Sequence, residues 1–376
     1  MNKPIAGRYA RYIRWPSETE VGPVTSFAQE WAKRYVQKLH LKSQGEDNGS
    51  DRTGVDESEL MMRERVGDAL RQSLRLCIAQ GWSKTEILLA PSLKQHPIDS
   101  QYLNSWEIAA KTHQIYDQAL GWYAQGKSPQ QLAGALSPIL GRLRQMQATS
   151  EPLTLAFVNL QFYYTGQLLL QQVSQTERSQ LEGYFSVIQE YLNLPLQRVY
   201  EAAAKLEWDD TPLQAVRKLL PVSSEMATEI CDRIRQLYPR YRSNSGSLTD
   251  ERIYKSSLRD VEMFQVYLWA CVLEQSIASV QQELFPLCVM LYPSLGVEWE
   301  LVRQMLNLLG QQLRDRLTSE EYDLFVPYLR TMWEMFSPAV FSPTDKSGKS
   351  DKSQAIALES EDFFDSSESL GNWVVG

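Results

Sequence analysis

Cysteine and histidine are scarce in this chain, and long apolar runs are missing. Its 376 residues include 4 Cys and 3 His. Cys77, Cys231, Cys271 and Cys288 show no CxxC spacing and each stands within an apolar helical pattern. They read as buried free thiols, which argues against a redox pair or a cysteine-held metal. The apolar stretch Leu153 to Tyr164 is interrupted by Asn159 and Gln161 and falls short of the ~18 residues of a membrane span. Catalytic signatures are missing too: there is no GxSxG elbow, P-loop, dinucleotide fingerprint or HExxH helix. The adjacent carboxylates Asp209-Asp210, Glu320-Glu321 and Glu361-Asp362 read as solvated charge rather than an acid/base pair, since neighbours on a helix point apart. With no nucleophile beside a base, the chain is expected not to be an enzyme. Basic charge is also short, with Lys+Arg 38 against Asp+Glu 46 and a net charge of -8. General nucleic-acid binding, which needs clustered Lys and Arg, is disfavoured.

What is present is apolar and aromatic material, 43% and 10% of the chain, enough for a folded protein of roughly two domains. The opening MNKPIAGRYARYIRW has charge but no apolar core after it. It does not read as a secretory signal, and a cytoplasmic setting is expected. From Gly7 to Trp15 arginines alternate with aromatics, either an arm for an acidic partner, a membrane surface or a nucleic acid, or a terminus packed on the body. Ser26 to Leu41 reads as a helix with Phe27, Trp31, Tyr35 and Leu39 on one face. Residues 43–58 read as a flexible loop. Asp56-x-x-Glu59 then caps a helix with Val66, Leu70, Leu74 and Cys77 on one face, which Gly81 is expected to end. A second helix opens at Ser83-x-x-Glu86. Helix, glycine turn, helix is the outline of a DNA-reading motif, but only Lys84 is basic in its first turn. A plain helical hairpin fits better.

Helical spacing continues from Gln101 to Tyr123, and Ser128-Pro129 opens a helix over Gln130 to Met146. Residues 1–150 thus form an N-terminal helical region, with Gln147 to Pro152 as the candidate boundary. Ser174-x-x-Glu177 caps a helix whose stripe includes Tyr184, Phe185 and Ile188. Further helices are suggested at Leu196 to Leu206, Leu213 to Leu219 and Ser224 to Leu237. Past Phe336 the composition turns polar, and residues 341–376 are expected to be a disordered acidic tail. Phe363, Phe364 and Trp373 are spaced along it as a possible docking segment, in cis or on a partner.

The stretch Tyr254 to Val302 contains Ser257-Leu258-Arg259-Asp260, then an aromatic helix, then Tyr292-Pro293-Ser294-Leu295-Gly296-Val297. It is preceded by Leu237-Tyr238-Pro239 and the loop-like RSNSGS of Arg242 to Ser247, and followed by two more helices, the last opened by Thr318-x-x-Glu321. This order resembles a phycobiliprotein, a globin-like fold of the cyanobacterial antenna, whose bilin-bearing helix opens with Cys-x-Arg-Asp. A serine stands here where the thiol would be. The resemblance covers about Leu196 to Phe336 and implies a relative without its covalent pigment.

The resemblance also sets expectations for site and partners. Arg259 would pair with a bilin propionate and Asp260 would accept from pyrrole nitrogens, so that a tetrapyrrole could be held non-covalently, with Tyr254, Phe264, Tyr267 and Trp269 as candidate walls. An exposed Arg-Asp pair near a helix start needs no ligand to explain it. The helix bearing Tyr184, Phe185 and Ile188 would pair with a partner subunit, or else pack on its own domain. Haem held by histidine is excluded for this region, since His40, His96 and His113 all precede it. The expected architecture is all-α: an N-terminal helical bundle (1–150), a phycobiliprotein-like domain with leading helices (151–340) and a tail (341–376). The expected role is interaction with phycobiliproteins or another photosynthetic assembly, in the cytoplasm or at thylakoids through partners, with a homodimer possible. The alternatives are a regulator binding DNA or a transcription partner through its N-terminal helices, and a tetrapyrrole carrier.

Overall fold

The computed structural model describes Phe27, Glu30 and residues 57–341. The arm at Gly7 to Trp15, most of 26–56 and the tail from 342 on, with Phe363, Phe364 and Trp373, lie outside the described residues. Residues 1–337 form one unit and 338–376 a second, of which the short helix Pro338–Phe341 is described.

The chain is all-α, as expected. The described helices are α1 (Glu57–Gln95), α2 (Ser105–Ala124), α3 (Pro129–Ser150), α4 (Thr154–Leu170), α5 (Gln175–Asn193), α6 (Leu196–Ala203), α7 (Thr211–Leu219) and α8 (Ser223–Leu237). A small antiparallel hairpin, β1 (Arg242–Ser243) and β2 (Gly246–Ser247), replaces the plain loop. Then follow α9 (Glu251–Glu274), a π-helical turn at Val280–Leu284, α10 (Phe285–Leu295), α11 (Trp299–Arg316), α12 (Ser319–Asp323) and α13 (Val326–Met335).

Local chemistry sets most of these ends. Ser128 with Gln131, Ser174 with Glu177 and Thr318 with Glu321 each form a reciprocal capping box, so orphan amides at the first turn are satisfied. α10 ends at Gly296, whose φ of 69° is left-handed; a side chain there would also strike Asn244. At α1 the sequence expectation fails. The helix opens at Glu57, two residues inside the stretch read as loop, and runs through Gly81 without a turn. Gly81 is buried against α4, where an added Cβ would stand 3.0 Å from Thr165 Oγ1. The glycine lets two helices approach; it does not end one.

Two apolar cores result. One joins α1 to α5 around Leu74, Tyr116, Leu120, Phe162 and Phe185, with the Tyr116 hydroxyl donating to the Phe162 carbonyl at 2.6 Å. The other surrounds α9, in which every residue from Val261 to Leu273 is buried, the polar Glu262 and Gln265 included, each with a hydrogen-bond partner on α8. Its walls are α6, α7, α8 and α13. Leu89 of α1 and Leu155, Ala156 and Phe157 of α4 belong to this second core, and α10 packs against α1 with Ser92 and Ser294 hydroxyls 2.8 Å apart. All four cysteines are free and buried.

Candidate functional site

The start of α9 faces a cleft. Its walls come from α8 (Cys231, Ile234, Arg235), the hairpin region (Tyr241, Ser243, Leu248), α10 (Tyr292) and α11 (Leu301, Val302, Met305), and α9 supplies Ile253, Tyr254, Ser257, Asp260 and Val261. The empty space is ≈ 700 Å³, mouth included. The hairpin is strapped over one side: Asn244 N donates to Leu295 O at 2.9 Å, and the Tyr241 hydroxyl donates to Gly296 O at 3.2 Å while accepting from Glu298 N at 3.0 Å. Tyr254 is fixed by its hydroxyl on Asp232 Oδ1 at 3.0 Å and by the Arg235 guanidinium 4.8 Å over its ring.

Asp260 supplies the acidic group of this cleft. Burial raises its carboxyl to about 6, against the opposing pull of Arg259 and of the Tyr292 hydroxyl. Burial likewise drives Tyr292 well above its ordinary value, with Asp260 and Cys288 adding to the shift. A carboxyl so placed can accept a hydrogen bond from an N–H donor entering this largely apolar cleft.

Of the residues singled out in the sequence, Ser257, Asp260 and Tyr254 line the cleft. Arg259 does not: its guanidinium donates to Ser256 Oγ at 3.0 Å and stacks 5.7 Å over the Tyr163 ring of α4. Phe264, Tyr267 and Trp269 are buried in the core and are absent from the cleft lining, because α9 is enclosed on every side beyond its first turns. Ser257 Oγ donates to its own helix at Ile253 O, 3.0 Å away, a hydroxyl with no base to activate it. These residues therefore do not fit a covalently held bilin. Of the pair expected to grip one without the covalent bond, the cleft keeps the carboxylate and loses the arginine.

Tyr184, Phe185 and Ile188, read as a partner surface, are 3%, 4% and 0% exposed. Tyr184 packs edge-on against Tyr123 and Phe185 against Tyr116, so α2 already covers the stripe. The surface is used within the chain, because an apolar stripe beside a four-helix neighbourhood is buried by whichever helices are nearest.

The sequence reading missed a buried ionic network at a second, wider groove between α3, α6 and the end of α9. Arg144 of α3 donates to Glu283 in the π-helical turn, to the Tyr267 hydroxyl and, at 3.1 Å, to Leu192 O. Arg198 joins Glu283 at 2.8 Å and also Glu274. Burial pushes the Glu283 carboxyl up, but Arg144 and Arg198 hold it below the ordinary carboxylate value. One signal was available: Arg144 continues the apolar line Leu132, Leu136, Leu140 by one more step of four, where a charge must be paired.

A family model described as phycobilisome protein matches residues 196–335, and the N-terminal half has no family match. The match spans α6 to α13, somewhat over a third of the chain. No curated protein and no solved structure matches. Among the described residues, no helix is long and apolar enough to cross a membrane, and no cluster of His, Cys, Asp and Glu is arranged to hold a metal ion.

Proposed function

We propose that the chain is a non-catalytic, pigment-free phycobiliprotein-like interaction protein of cyanobacteria, binding phycobiliproteins or another photosynthetic assembly as an assembly, turnover or regulatory factor. The observation that carries this reading is the phycobilisome-protein match over residues 196–335 combined with a serine at 257, its hydroxyl spent on its own helix. A domain of the antenna type without its thioether keeps the helical faces by which such domains associate. Because the α5 stripe is covered within the chain, recognition falls to other faces of α6 to α13. The DNA-binding alternative loses its motif with the continuity of α1.

A second reading has its own support in Asp260: a non-covalent tetrapyrrole carrier would use that carboxylate and the apolar cleft. Both are tested by recovering the tagged chain gently from a cyanobacterial host, recording its visible spectrum and identifying the accompanying polypeptides. The expected result is antenna subunits on the gel, with pigment only in proportion to them. Pigment on the chain alone, lost on Asp260→Ala substitution, would favour the carrier. A colourless preparation with neither antenna subunits nor polypeptides of another photosynthetic assembly would overturn both.

A further inference from the structure

The outward face of α1 is unlike the outer face of a surface helix. Its inner side, with Leu70, Leu74, Cys77 and Ile78, packs into the first core. The opposite side carries Met62, Ala69, Leu76, Gln80 and Ile87. Met62, Ala69 and Leu76 follow at intervals of seven, and Ile87 lies eleven residues past Leu76, so all fall within one narrow line along the helix. Met62, Leu76 and Ile87 are 55%, 61% and 73% exposed, and no charge interrupts the line. From Met62 to Ile87 it runs for ~38 Å at the helical rise. A helix that is apolar on both sides is suited to a second neighbour.

We propose that this neighbour is a second copy of the chain, whose α1 lies antiparallel on the first about a two-fold axis between Arg75 and Leu76. The charges beside the line select both the occupant and its direction. Arg65 lies ten residues before Arg75, and Glu86 ten residues after Leu76. In an antiparallel pair each Arg65 therefore meets Glu86 of the second copy. A parallel pair would set Arg65 on Arg65 and Glu86 on Glu86, which repel.

Among the described residues neither Arg65 nor Glu86 forms an ion pair within the chain. At the axis Leu76 packs on Leu76, and toward each end Met62 packs on the turn bearing Ile87 and Ala90. Helix α1 carries five acidic and six basic residues; the net negative charge of the chain is thus not concentrated on this face. A single pair of helix faces is a small interface, so the dimer is reversible and concentration-dependent.

Sedimentation velocity of the full chain across a wide concentration range tests this. The expected result is a monomer–dimer equilibrium in the wild type and a monomer for Leu76→Glu, with unchanged circular dichroism because Leu76 is exposed. Arg65→Glu and Glu86→Arg should each weaken the dimer about tenfold, and the double variant should restore it. A wild type that stays monomeric at the highest concentrations would overturn the proposal. So would a dimer indifferent to Leu76→Glu, or charge reversals that fail to compensate each other.

Discussion

At Asp260 burial and ionisation oppose each other, and the balance is measurable. The folded carboxyl is raised to about 6 from 3.8, chiefly by burial. A raised carboxyl binds its proton more tightly when folded. Its contribution to stability is therefore complete below about pH 4 and is lost as pH rises through about 6. Two units amount to at most ~3 kcal/mol, an upper bound because Asp260 is only partly shielded from solvent. Glu283 and Glu321 are shifted the other way, so their pairing gains as pH rises, and only a comparison isolates Asp260. Asp260→Asn should gain on the wild type by up to ~3 kcal/mol between about pH 4 and about pH 7, read from urea unfolding. A difference that stays flat over that range would mean the carboxyl is hydrated. The Arg-Asp dipeptide was legible in the sequence, and so was the divergence of neighbours on a helix; which of the two faces the cleft was not, because that depends on Tyr163 and Tyr292 arriving from other helices.

Helix α1 carries the same lesson at the scale of an element. Caps were legible because they are local: Ser128, Ser174 and Thr318 each find their partner three residues on. Gly81 was misread because one residue type serves both a turn and a close crossing, and only α4 decides between them. The decision makes a prediction. On an exposed helix face Gly→Ala stabilises by ~1 kcal/mol. At Gly81 a side chain meets Thr165 Oγ1 at 3.0 Å and the Thr165 backbone nitrogen at 3.3 Å. Gly81→Val should therefore cost about 1–3 kcal/mol by overpacking, seen as a lower Tm. A variant as stable as the wild type would place α4 farther from α1 than it stands here. The covered stripe of α5 is the same problem again, since periodicity shows that a face is buried and not what buries it.

Over the whole of residues 1–337, the Arg144 network ties α3 of the first core to α9 of the second, beside the apolar contacts of Leu89 and Leu155 to Phe157. Arg144 comes from α3, Tyr267 from α9 and Glu283 from the π-helical turn, so three separate elements share one set of charges. Arg144→Ala would leave Glu283 to Arg198 and to the Tyr267 hydroxyl, which donates to it at 3.2 Å, and would strip the Tyr267 hydroxyl oxygen and the Leu192 carbonyl of the donor that Arg144 supplies. Removing one partner of a buried pair costs about 3–5 kcal/mol, whereas replacing the whole set by apolar side chains of similar size is often neutral. Arg144→Ala should thus be severely destabilising, and Arg144→Met combined with Glu283→Leu and Tyr267→Phe much less so, measured by chemical denaturation. Because Leu89 and Leu155 to Phe157 of the N-terminal helices belong to the α9 core, the loss should appear as one cooperative transition moved to lower denaturant. A loss confined to one of two transitions would mean that the cores fold separately. The network would then be a local feature of the groove, and residues 196–335 would be an autonomous module beside an independent N-terminal bundle.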